Sequence, residues 1–176
     1  MTISLTLLGL LEQRSSYGYD LKQADDRRFG AQRPVRFNQV YRSLGQLVRD
    51  GQAVEVGVEP GEGPDRRRYA ITPEGVTDLD RWLAEPETPE PQVQAVLFTK
   101  VVLALMSGRP AADVLDAQRA RHLAVMREVT SARRRAGPTE ALLADYRLFH
   151  LEADLRWIDH AAARLDVLAG DAGQAR

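Results

Sequence analysis

Gln39, Arg42, Ser43, Gln46 and Arg49 fall on one face of a segment whose other face carries Val40, Leu44, Leu47 and Val48. Amide, hydroxyl and guanidinium groups at helical spacing donate and accept hydrogen bonds side by side. That is the chemistry that reads base edges in the major groove of a duplex. No acid interrupts the face before Asp50. A second group, Arg66-Arg67-Arg68, sets three guanidinium groups in a row, as phosphate contacts require. The hydroxyl of Tyr41 is read as a phosphate contact rather than as cover for the core edge. The formal net charge is −1, so any attraction for a polyanion must be local.

Other chemistries find little support. There is no cysteine, which removes disulfides, thiolate metal sites and a thiol nucleophile. His122, His150 and His160 are scattered, and His150 with Asp154 one turn later reads as an ordinary hydrogen bond. Neither type of glycine-rich phosphate loop occurs. The run Arg133-Arg134-Arg135 suits the C-terminal end of a helix, where positive charge complements the dipole. The chain therefore reads as a non-enzyme without metal or cofactor. The N-terminus lacks a basic leader. The longest apolar run, 93–106, is too short to span a bilayer and contains Lys100. These points place the protein in the cytoplasm, away from membranes.

Which elements hold the polar face and the arginine run? Apolar residues at Ile3, Leu7, Leu10 and Leu11 predict a first helix. Ser15-Ser16 is the expected N-cap of a second, from about Tyr17 to Arg28. Gly30 to Pro34 breaks it, and a third helix follows from about Asn38 to Arg49, ended by Gly51 in the left-handed C-terminal position. Ala53 to Glu59 alternates apolar and polar as a half-exposed strand does, and Arg66 to Ile71 returns as its hairpin partner. Thr72-Pro73 restarts a helix with threonine as cap and proline at its first position. Three helices, a basic hairpin and a further helix make a winged helix-turn-helix, which presents one helix to the major groove and a wing to adjacent phosphates.

Glu85-Pro86-Glu87-Thr88-Pro89-Glu90-Pro91 interleaves three prolines with acids and reads as a linker. Residues 1–84 are thus expected to be the winged helix-turn-helix, 85–92 the linker and 93–176 a helical domain. Overall the fold class is mostly α, with the small β component of the wing. Helices are expected at about 93–106, 110–134 and 139–168, with a fraying tail at 169–176. The first is apolar on nearly every side, and three helices supply too little cover, so a second subunit is expected against it. The last carries Leu142, Tyr146, Phe149, Ala153, Trp157, Ala161, Leu165 and Leu168 as a broad stripe suited to a partner. A homodimer would let two heads read a palindromic site. Phe98, Tyr146, Phe149 and Trp157 are the aromatic candidates for contact with a flat apolar effector.

Several motifs resemble the PadR family of transcriptional regulators. Leu8-Gly9-Leu10-Leu11 followed by Tyr17-Gly18-Tyr19-Asp20-Leu21 is similar to the family's opening pattern. The run Val35 to Leu44 resembles its recognition helix, and Arg49-Asp50-Gly51 the end of that helix. Asp65 to Gly75 resembles the wing strand and the threonine-capped helix after it. The resemblance spans residues 5–84 and implies a dimeric DNA-binding regulator, most often a repressor released by a small molecule. Carried over, Gln39, Tyr41 and Arg42 match recognition positions, and Tyr17, Gly18 and Tyr19 match a helix start that favours a phosphate. Arg36 and Asn38 depart from the family's usual residues, join the candidate contacts and point to a different operator sequence. The competing reading is a winged helix that docks a protein, which an acidic or apolar outward face would favour.

Overall fold

The computed structural model describes residues 2–30, 34–59, 66–89 and 93–174, and within these the side chains of 2, 58, 59, 66 and 171–174 are left aside. The chain divides into two compact units, Met1–Leu83 and Ala84–Arg176.

In the first unit, α1 (Thr2–Gln13) packs on α2 (Gly18–Phe29), α3 (Phe37–Arg49) and the strand β3 (Arg66–Ile71). Its burial exceeds the single stripe read from the sequence, because Thr6 and Leu8 are buried along with Leu7, Leu10 and Leu11. Leu21, Phe29, Val40, Leu44, Leu47 and Leu79 complete the buried core of the unit. Two strands, β2 (Ala53–Glu59) and β3 (Arg66–Ile71), pair antiparallel as expected, with Val56 as the extra residue of a bulge between Glu55 and Gly57. β1 (Ser16–Tyr17), which the sequence did not suggest, pairs with β3 on its other edge, giving the order β1-β3-β2.

This short strand corrects the expected cap. Ser16 is committed to the sheet, and its hydroxyl donates to the Arg14 carbonyl at 3.2 Å. The N-cap of α2 is Tyr17, which has no side-chain hydrogen bond to the first turn. The end of α3 follows expectation. Gly51 has φ +73°, and the Gly51 and Gln52 amides donate back to the Val48 and Leu47 carbonyls, a Schellman closure. Thr72 caps α4 (Pro73–Ala84) through the Gly75 amide at 3.1 Å, while its hydroxyl donates to the Gly51 carbonyl.

The second unit holds α5 (Val93–Met106), α6 (Ala111–Arg133), α7 (Pro138–Ala162) and α8 (Leu165–Gln174). Leu97, Val101, Ala104, Leu115 and Ile158 form its main cluster, and Val125, Val129 and Leu151 a second. α6 and α7 are bridged by the ion pairs Arg119–Asp159 and Arg133–Asp145. Two expectations are corrected here. The single helix over 139–168 is broken at Ala163–Arg164, where the Arg164 guanidinium donates to the His160 carbonyl and ring and closes the helix end. The tail expected to fray continues α8 to Gln174. On α5, Val93, Leu97, Val101, Leu103, Ala104 and Met106 are buried within one chain, and Val96, Phe98, Val102 and Leu105 are half-buried. Large apolar side chains are exposed on α7, at Leu142, Leu143, Tyr146 and Phe149, within the stripe expected to face a partner.

Candidate nucleic-acid interface

The helical period puts Val40, Leu44 and Leu47 of α3 inward, so Arg36, Asn38, Gln39, Tyr41, Arg42 and Gln46 are exposed. They are not equivalent. The Gln39 side-chain oxygen accepts the Arg36 backbone N–H at 2.9 Å, half of a capping box that fixes the first turn. Its amide NH₂ remains to donate. Near the other end Gln46 donates to Asp50 and accepts from Arg49 at 2.6 Å, a closed local set. Arg42 stands between these groups, with no ion pair or hydrogen bond among the described residues. The middle of the face, not its whole length, is therefore free to bind.

α3 meets the start of α2 through an i, i+4 aromatic pair. Tyr41 lies over Gly18 so closely that a methyl group there would come within 2.6 Å of its ring. One turn earlier Phe37 stacks on Tyr19, with centroids 5.6 Å apart and planes 16° from parallel. The Lys22 ammonium sits 5.2 Å from the Phe37 ring, a cation–π contact. Sequence reading missed Phe37 and Lys22. The signal was present in the spacing of Phe37 and Tyr41, which put two aromatics on one side of a helix otherwise read for its polar face.

The wing reaches the same place. Tyr17 pairs with Arg68 across β1 and β3, and the Arg68 guanidinium lies 5.0 Å from the Tyr17 ring centroid. Arg67 instead bridges to Glu55 at 3.0 Å, an exposed pair of the kind worth at most about 1 kcal/mol. Phosphate can compete for it, but the expected triple-arginine charge is partly neutralised on the wing itself. The side chain of Arg66 lies outside the described residues; its backbone opens β3 opposite Glu59. Tyr17, Gly18, Tyr19, Tyr41 and Arg68 thus come together around the uncapped start of α2, whose amides and dipole favour an anion.

Gly18 gives a direct check on this geometry. Replacing it with Ala must displace the Tyr41 ring, whose free end can swing at a cost of about 1 kcal/mol or less. The expected result is a near-normal melting temperature with weakened binding to duplex DNA. Unchanged DNA binding would remove Tyr41 from the interface.

The four effector candidates are not gathered into one cavity. Trp157 packs against the main cluster of the second unit, Phe98 is half-buried on α5, and Phe149 is exposed. Tyr146 stands edge-on to His150 at 4.3 Å and borders a cavity of about 60 Å³ with Pro89, Val125, Arg147, Leu151 and Asp154. Asp154 bonds His122 and Gln94, not His150, which corrects the turn-spaced hydrogen bond expected from sequence.

Residues 7–81 match the model of the transcriptional regulator PadR-like family. A probable transcriptional regulator of Mycobacterium tuberculosis is 36% identical over 83 residues, 47% of this chain and 43% of that protein. The matched stretch thus spans less than half of that relative. Among solved structures, Bacillus subtilis PadR in complex with operator DNA aligns with a TM-score of 0.45 and 18% identity, over 94% of this chain and 99% of that one. The Vibrio cholerae virulence activator AphA aligns with a TM-score of 0.40 and 20% identity, again over 94% and 99%.

Proposed function

We propose that the first unit, whose residues 7–81 match the PadR-like transcriptional regulator model, makes this chain a member of that family, and that the chain binds double-stranded DNA as a homodimer at a palindromic promoter site. The observation that carries the proposal is the meeting of three elements: α3 through Tyr41 and Phe37, next to the exposed Arg42, the uncapped start of α2, and Arg68 on β3. In this reading Arg42, with Gln39, Arg36 and Asn38 near it, addresses base edges. Tyr17, Gly18, Tyr19 and Tyr41 hold a phosphate at the start of α2, and Arg66, Arg67 and Arg68 follow the backbone beside the groove.

The two copies meet through α7, where Leu142, Tyr146 and Phe149 are spaced four and three residues apart, as in a helix–helix seam. A dimer seated on promoter DNA excludes the polymerase, so repression is its simplest output. A small flat apolar effector that enters beside Tyr146 would release it. The protein works where its DNA is, in the cytoplasm; among the described residues no helix is long and apolar enough to cross a membrane.

Arg42→Ala tests the reading at its centre. A bidentate base contact is worth about 1–3 kcal/mol, so affinity for the operator should fall roughly 5- to 150-fold. The preference among operator variants should flatten at one base pair per half-site. An equal loss on every sequence would make Arg42 a phosphate contact instead.

A further inference from the structure

The segment that follows α4 reads as a linker by composition, yet it is fastened by buried polar side chains of the second unit. Gln118 on α6 is buried, and its side-chain amide pairs with both backbone groups of one residue: its oxygen accepts the Glu87 N–H at 2.7 Å, and its nitrogen donates to the Glu87 carbonyl at 2.8 Å. Only Glu87 and Thr88 between Pro86 and Pro89 have an N–H to offer. Residues before proline are held extended, so this stretch is shaped in advance for such pairing.

Lys100 on α5, also buried, donates to the Glu85 carbonyl at 2.5 Å and to the Glu87 carboxylate at 2.6 Å. Burial lowers the pKa of this amine, and the hydrogen bond and charge of Glu87 act against that shift. Behind Gln118 stands His122, fully buried, with Nδ1 2.9 Å from the Gln118 carbonyl and Nε2 3.3 Å from Asp154. Buried polar groups of this density are costly unless all are paired, and here they pair with a segment that has no core of its own.

We propose that Gln118 and Lys100 are positioning residues that latch residues 85–87, so that the chain leaving α4 at Ala84 starts from a fixed point and the spacing between DNA half-sites is read stringently. The proposal rests on the dimeric DNA-binding reading above. A longer free tether would let each head follow a shifted half-site more readily than one anchored at residues 85–87.

The test uses the full chain with two variants, Gln118→Leu and Lys100→Met, the second chosen because it keeps the buried volume. Amide exchange at Glu87 reads the latch without DNA: slow in the wild type and at least tenfold faster in Gln118→Leu. Binding is then measured on duplexes whose half-site separation is changed by one or two base pairs. The wild type should lose roughly tenfold or more per inserted base pair, and both variants should lose clearly less. Unprotected Glu87 in the wild type overturns the latch. Fast exchange in the variants with an unchanged spacing profile overturns its role in positioning. If no form binds any duplex specifically, the DNA-binding reading falls and the spacing claim falls with it.

Discussion

Phe149→Asp should leave each subunit folded, split the proposed dimer and lower operator affinity by about 10²- to 10⁴-fold, the usual range when a bivalent contact becomes monovalent. Phe149 is 70% exposed in the single chain, Leu142 71% and Tyr146 56%. Three large apolar side chains left in water on one helical stripe mark a surface meant to be covered. In an isolated subunit an aspartate at 149 meets only solvent, so it has no cause to unfold the protein. Within a helix–helix seam the same carboxylate is buried without a partner, at a cost of several kcal/mol. Sedimentation and a thermal melt separate the two effects. A dimer that survives the substitution, with DNA affinity intact, would take α7 out of the interface.

Gly75→Ala should lower the stability of the winged-helix unit by about 2–3 kcal/mol, which in a unit of this size is a fall in melting temperature of roughly 10–20 °C. The direction is what makes the test sharp. Gly75 lies in the first turn of α4, and helix propensity alone predicts that alanine stabilises such a site by about 0.5–1 kcal/mol. Space predicts the opposite. A methyl group at Gly75 would lie 2.1 Å from the Gln52 carbonyl oxygen and 2.8 Å from Ile71 Cγ1. That carbonyl is fixed, since it accepts the Thr72 N–H at 3.1 Å, so α4 or the start of β2 must move. At Gly18 the obstacle is the end of a side chain; here it is backbone, and the penalty should be correspondingly larger. A melting temperature that rises would mean that the contact between α4 and Gln52 is looser than described.

What the sequence revealed and what it hid follow one physical division. Local chemistry was legible: the change from helical to alternating period at Ala53, the Thr72-Pro73 cap and the glycine that closes α3 each depend on a few adjacent residues. The polar face around Arg42 was legible for the same reason, because a strong apolar stripe fixes what must point outward. Features set by distant partners were not. Ser16 and Tyr17 read as a helix start, and only their pairing with Tyr69 and Arg68 makes them a strand. Arg67 reads as free charge until Glu55 is placed opposite it on the hairpin. The cover on α5 depends on which faces of four helices meet. The break at Ala163–Arg164 has neither glycine nor proline to announce it. The proline-rich segment reads from its composition only as a linker, and its fastening was not legible because the anchors lie 15 and 31 residues further on.

The central claim, that the surface around Arg42 and the start of α2 reads duplex DNA by sequence, is tested most directly by titrating the full chain against its own upstream region and a scrambled duplex of equal length over a range of salt. The account predicts tight binding to the former, weaker by about 10³-fold or more on the latter, with affinity falling steeply and linearly in logarithmic salt. Equal affinity for the two duplexes, or binding indifferent to salt, would contradict it.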